Sequence, residues 1–242
     1  MITDFEQSVE QLSDIILKQA EKTYDARSPE SWSNYSKKFR AWLHDGCVDY
    51  QACIQAGYNT LLSALEKMGE DVSKYVLNKQ RMHVFQDSAK VFQSYAEGKM
   101  LQELLGYSDD QMCVCYNIAC QFYDNKNFEN AGNIYLFLTH LNPIIIPFWM
   151  GVGCVFEATH RINEAIAIYG IVIALGPMQI ENWYHPFRCA LQAKHYQEVS
   201  GLIAFAQQVC QQLKGNPEFS AFCTELDQLS QHAAKKLTKS VK

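Results

Sequence analysis

Between Met112 and Pro177 the chain repeats itself. Counting 34 residues forward from Cys120, Phe122, Ala131, Tyr135, Leu141 and Pro143 reaches Cys154, Phe156, Ala165, Tyr169, Leu175 and Pro177, an identical residue each time. The apolar positions recur as well. Cys115, Ile118, Ala119 and Phe122 are matched by Trp149, Val152, Gly153 and Phe156. A fixed period of this length, with apolar residues at helical spacing inside it, specifies a stack of similar helical units.

The unit reads as a tetratricopeptide repeat, two antiparallel helices of about 34 residues in all. Small residues at Ala119 and Gly153, and at Ala131 and Ala165, let the paired helix come close, while Phe122 and Phe156 fill the space beside them. Asn142-Pro143 and Gly176-Pro177 end the second helices, because proline has no amide donor and disfavours helix just before itself. Phe128, Ile162 and Tyr196 recur where the second helices begin. A third, degenerate unit continues the count through Trp183, Phe187, Val199, Ile203 and Ala206. There Pro186 falls within the expected first helix, so that helix either begins late or is kinked.

These readings predict an all-α protein: a right-handed tetratricopeptide-repeat solenoid of about three repeats, with an extra helical region before it and a capping helix after it. The repeats span 112–145, 146–179 and 180–213. Residues 1–97 form the front region, for dimerisation, docking or a lid, and 98–111 the junction. Residues 214–242 hold a capping helix over Pro217 to Lys236 and a solvated lysine-rich tail. In the front region, helices are expected at Thr3 to Lys22, from Ser28-Pro29 to Asp45-Gly46, at Val48 to Met68, and at Asp71 to Glu97. Their apolar faces must pack on each other, on the repeats or on a second copy.

Composition excludes several classes. A net charge of -5 and a pI near 5.8 give no basic face for nucleic acid. The nine cysteines have no framework spacing, Met1 to Glu10 is acidic and polar, and the thiols read as small reduced hydrophobes of a cytosolic protein. There is no CxxC or Cys/His cluster for zinc, and no cofactor is expected. The longest uncharged apolar run, Ile144 to Phe156, holds Pro147 and is too short to span a membrane. Between Met112 and Pro177 only Asp124, Lys126, Glu129, Glu157, Arg161 and Glu164 are charged, so apolar surface there must be covered by a partner or by the flanking helices.

Stacked repeats present the first helices on a concave face. Slot counting places Cys113, Tyr116, Cys120 and Tyr123 on it from the first unit, and Pro147, Met150, Cys154 and Glu157 from the second. Glu181, Tyr184, Arg188 and Leu191 come from the third. This aromatic, soft, charge-poor lining suits an extended apolar peptide, with tyrosine hydroxyls and Arg188 free to bond its backbone. The basic clamp of repeat proteins that grip an acidic carboxy-terminus is missing, since Tyr116 and Cys120 occupy those slots. No catalytic arrangement accompanies Cys113, Cys115 or Cys120, and the chain is not expected to be an enzyme.

The run Leu101 to Gln111, followed by Tyr116 to Ala131, resembles the class II chaperones of bacterial type III secretion. Phe148 to Gly153 and Pro186 to Gln192 are similar to the second and third repeats of that family, and the likeness covers roughly residues 98 to 210. It implies a bacterial cytoplasmic chaperone, using no nucleotide, whose groove keeps an amino-terminal segment of a hydrophobic translocator soluble before export. It also implies homodimers, although the first 95 residues are longer than the family's amino-terminal region. The competing reading is a repeat scaffold that joins two folded proteins.

Overall fold

The computed structural model describes residues 50–77 and 97–240, with short helical pieces at 13–14, 17–18, 21, 32–37 and 40. The described helices are α1 (Tyr50–Lys67), the single turn α2 (Leu101–Leu104), α3 (Asp109–Asp124), α4 (Phe128–Leu141) and α5 (Ile146–Ala158). They continue with α6 (Ile162–Leu175), α7 (Glu181–Gln192), α8 (Tyr196–Gln212) and α9 (Ser220–Ser240). No strand occurs among the described residues, and no helix there is long and apolar enough to cross a membrane.

The start of the stack is written into the junction. Ser108 caps α3: its hydroxyl accepts from the Gln111 amide at 3.2 Å, and the Gln111 side chain accepts from the Ser108 amide at 2.8 Å. Asp109 and Asp110 follow in the first turn, at the positive end of the helix dipole.

The 34-residue period is equally clear in three dimensions. The turns between paired helices place Lys126, His160 and Lys194 at φ 60°, 61° and 58°. The next amide reaches back each time, from Asn127 to the Phe122 carbonyl at 2.8 Å, Arg161 to Phe156 at 2.8 Å and His195 to Ala190 at 2.9 Å. Between units, the Trp149 indole donates to the Pro143 carbonyl at 2.7 Å, and Trp183 to Pro177 at 2.8 Å. Gly153 admits the Tyr169 ring of its own unit, since a Cβ there would lie 2.5 Å from a ring carbon. Third-unit α7 begins at Glu181 and carries Pro186, buried, in its interior. The proline therefore does not delay the start of the helix; burial of Trp183, Phe187 and Ala190 on the same helix offsets the missing amide bond.

Two apolar clusters hold the stack. One joins α1, the junction and the first two units; the other joins α7, α8 and α9 around Trp183, Phe187 and Leu226. Tyr169 and Cys189 pack together between units two and three. Most of the charge-poor stretch is covered from within the chain: of the large hydrophobics between 112 and 177, Ile144 alone is exposed.

Part of the front region belongs to this core. Helix α1 lies along α4, with Leu61 and Leu65 fully buried and Tyr58 against Phe137 at 5.6 Å. The expected helix from Asp71 is not formed at its start. Asp71 caps a single 3-10 turn over Val72–Lys74. The segment after it is fastened to the repeats instead: the Tyr107 hydroxyl donates to the Tyr75 carbonyl at 2.6 Å, and the Gln111 side chain to the Lys74 carbonyl at 2.9 Å. Tyr75 is buried by this, and the backbone bonds that a helix would have supplied come from side chains. The expected helices at Thr3 to Lys22 and from Ser28 to Gly46, and the remainder of the Asp71 to Glu97 helix, fall largely or wholly outside the described residues. At the other end, Pro217–Phe219 is a separate 3-10 turn, and the capping helix begins at Ser220.

Candidate functional site

The first helices α3, α5 and α7 are neighbours, and side chains from different register positions meet across them. The Tyr116 ring lies 5.8 Å from Phe148 of the next unit, and Glu157 of α5 receives Arg188 of α7. The repeat period creates this face, because one register position on each first helix is aimed the same way.

At the first unit, Tyr116 also packs on Tyr135 at 5.8 Å, and the Tyr135 hydroxyl donates to Cys120 Sγ at 3.3 Å. Burial, with Cys120 beside it, pushes the Tyr116 hydroxyl up to about 12, so this end is neutral as well as aromatic. Tyr123 stands edge-on to Phe128 at 5.3 Å. Cys113 is exposed at the start of the row. In the second unit, Pro147 is exposed in the first turn of α5, Met150 is half-buried among the core clusters, and the Cys154 thiol is raised by burial.

A polar knot occupies the boundary between the second and third units. Arg188 holds Glu157 through Nη2 at 2.9 Å to both carboxylate oxygens and through Nε at 3.2 Å to Oε1. The Tyr169 hydroxyl donates to Glu157 Oε2 at 2.8 Å, with Cys154 Sγ 3.7 Å away. Arg188 Nη2 also lies 2.9 Å from His185 Nδ1, which must then be the accepting nitrogen of a neutral ring. The electrostatics agree. Burial raises the Glu157 carboxyl, but the Arg188 and Tyr169 hydrogen bonds outweigh it and leave its pKa below the ordinary value. Burial, then Arg188, pulls His185 down. Glu157 exposes only 16% of its side chain and Arg188 50%, so the carboxylate is shielded while the guanidinium stays open to water.

The remaining third-unit positions look elsewhere. Tyr184 is 42% exposed and donates to Glu225 of α9. Leu191 packs into the cluster formed with α8 and α9, and Glu181 is exposed at the start of α7. The structure thus joins Tyr116, Cys120, Tyr123, Met150, Cys154, Glu157 and Arg188 along one face, and Tyr184 serves the capping helix. Three participants escaped slot counting: Tyr135, Tyr169 and His185. The two tyrosines are fully assigned to the core by the period, yet their hydroxyls reach the face from below. His185 takes the position 34 residues after Gly151, so Tyr169 meets an imidazole at 5.6 Å where Tyr135 meets a glycine. The departure from the repeat was the available signal.

The thiols offer no obvious nucleophile in the interior. Burial pushes Cys115 up to about 12 and Cys189 up to about 11, which keeps both protonated at neutral pH.

No family model matches the sequence. Among solved structures, the chain is similar to the type III secretion translocator chaperone SycD of Yersinia enterocolitica, at 19% identity over 55% of this chain and 98% of that chain, with a TM-score of 0.44. It is similar to SycD in complex with a peptide of the translocator YopD, at 20% identity over 54% and 98%, with a TM-score of 0.41. A type III secretion complex from Aeromonas hydrophila is similar at 19% identity over 62% and 97%, with a TM-score of 0.49.

Proposed function

We propose that this protein is a cytoplasmic chaperone of bacterial type III secretion that binds an extended apolar segment of a translocator along the shared face of its first helices. The observation that carries the reading is the composition of that face. Over two successive units it offers tyrosine, cysteine and methionine, neutral and half-buried, and it ends at the Glu157–Arg188 pair. Aromatic rings and soft thioether or thiol groups give apolar side chains adaptable seats, and an extended segment lays alternate side chains on such a row. The runs Leu101 to Gln111 and Tyr116 to Ala131 support the same class of client. Masking apolar client surface contributes roughly 25 cal/mol per Å², so a segment of a few large residues suffices for binding without nucleotide. In this reading the chain acts as a holder of its client.

The test is co-expression with the hydrophobic proteins encoded beside the gene. The expected result is one protein that is soluble only with this chain, and that a short peptide from its amino-terminal part displaces. Replacing Tyr116 and Tyr123 together by alanine should weaken that peptide at least tenfold while circular dichroism keeps its helical signal. Undiminished affinity in the folded double variant would remove the face from consideration. Retention of a folded partner with no displacement by any peptide would favour the scaffold reading.

A further inference from the structure

The turn between α8 and α9 brings two cysteines together. Cys210 sits in the last turn of α8 and Cys223 in the first turn of α9, on either side of the 3-10 turn Pro217–Phe219. The Cys210 Sγ lies 3.7 Å from the Cys223 carbonyl, and the Cys223 Sγ lies 4.0 Å from the Cys210 carbonyl. Each thiol therefore points at the backbone of the other residue, which places both sulfurs in the same narrow space between the helices. A disulfide needs this approach of two backbones, with Cα atoms about 4.4 to 6.8 Å apart. Both residues are half-buried and free, and both line an open cavity of about 670 Å³ with Gln207, Lys214 and Thr224, so a small molecule can reach them.

We propose that Cys210 and Cys223 are a reversible modification site, a disulfide that fastens the capping helix α9 to α8. The oxidant is a small-molecule disulfide of the glutathione type. The Cys223 thiolate attacks one of its sulfurs, forms a mixed disulfide and releases one small thiolate. The Cys210 thiolate then attacks the Cys223 sulfur and displaces the second. Two protein thiols are oxidised, one small disulfide is reduced to two thiols, and the two protons lost by the protein go to the released thiolates. The order of attack follows the environment: burial, with Cys223 beside it, pushes the Cys210 thiol up to about 12, so it reacts second, once the mixed disulfide holds the partner sulfur against it. The bond closes a short loop, residues 210 to 223, around the one turn that connects α9 to the stack. Leu226 and Ala233 of α9 are fully buried in the third-unit cluster, so fixing this turn fixes the cap.

The experiment uses the full chain, reduced and then incubated with oxidised glutathione. Free thiols are alkylated, and the protein is digested and mapped by mass spectrometry without reduction. A peptide pair joined through Cys210 and Cys223 is expected, and so is a rise in Tm of roughly 5 °C that dithiothreitol reverses. Exposed Cys113 should carry glutathione under the same conditions, which proves that the oxidant was active. The Cys210→Ser and Cys223→Ser variants should lose the rise. The proposal is overturned if both cysteines stay alkylated or carry only glutathione while Cys113 is modified. It is equally overturned if the linked pair forms and Tm does not rise. The mapping is read on the parent chain, so it does not depend on how the variants fold.

Discussion

At the scale of single residues, the most informative positions are those where the chain departs from what its backbone prefers. Lys126, His160 and Lys194 sit at φ near +60°, in the left-handed region that costs a residue with a Cβ about 1 kcal/mol or more. All three occur at the same place in successive units, so the turn geometry is set by the paired helices and the side chain accepts it. Glycine takes that conformation freely but loses more entropy on folding, which leaves a modest net gain. Lys126→Gly and Lys194→Gly should each stabilise the protein by about 0.5 kcal/mol, read as an upward shift of the urea midpoint at unchanged slope. A lower midpoint for either variant would show that the lysine makes an interaction worth more than its backbone strain. The polar knot at Glu157 is a residue-scale feature of another kind, since its value lies in four groups satisfying one another. A carboxylate shared by a guanidinium and a phenol is neither free for a ligand cation nor left unpaired in a half-buried place.

At the scale of elements, the interface between α1 and α4 decides where the folded unit begins. Gly57 of α1 touches the α4 backbone directly: a Cβ there would lie 2.1 Å from the Asn133 carbonyl oxygen. Gly57→Ala must push the helices apart or shift α1 along its partner, and overpacking of this kind costs about 1–3 kcal/mol. The expected outcome is a lower Tm and earlier tryptic cleavage at Lys67, with the helical signal of the repeats retained. Cleavage and Tm equal to the parent's would mean that α1 does not pack there. This interface also marks the limit of what could be read from the sequence. The helical hairpins of the first two units were legible down to individual prolines, because repetition supplies an internal alignment. The cap at Ser108 is a local signal, a serine followed by two aspartates, whereas its reciprocal partner Gln111 is seen only in the structure. The docking of α1 was not legible, since a glycine facing the backbone of another helix leaves no periodic trace. The early end of helix at Asp71 was hidden for a similar reason: Val72, Tyr75 and Val76 have helical spacing, and only the distant hydroxyl and amide groups of Tyr107 and Gln111 make the shorter form better. For the site, the rows on α3 and α5 could be counted out, whereas the turning of Tyr184 toward Glu225 could not, because α9 lies outside the repeat.

At the scale of the whole molecule, His140, His185 and Glu157 all lower the stability of the protein as pH falls. His140, near the end of α4, keeps a little accessible surface, but burial pushes its imidazole down to about 4 from an ordinary 6.5. A base held below its unfolded value binds its proton more readily when the chain opens. The stability it contributes is complete above pH 6.5 and is lost progressively as pH falls toward 4. His185, drawn down by burial and by Arg188, adds to the same loss. Glu157 follows at lower pH. Its folded pKa lies below the ordinary 4.5, so its contribution is present above that value and disappears as pH drops through the folded one. These groups sit on α4, α5 and α7, so protonation strains all three units together. The free energy of unfolding should fall between pH 7 and pH 4, with His140 responsible for up to about 3 kcal/mol of it. Replacing His140 by glutamine, which stays neutral throughout, should flatten the curve above pH 4.5 and leave the acid limb below it in place. Urea titrations at half-unit intervals would resolve the two limbs. A variant with the parent's slope between pH 6.5 and 4.5 would place the loss in that window with His185 instead, and His185→Gln would then be the substitution that removes it.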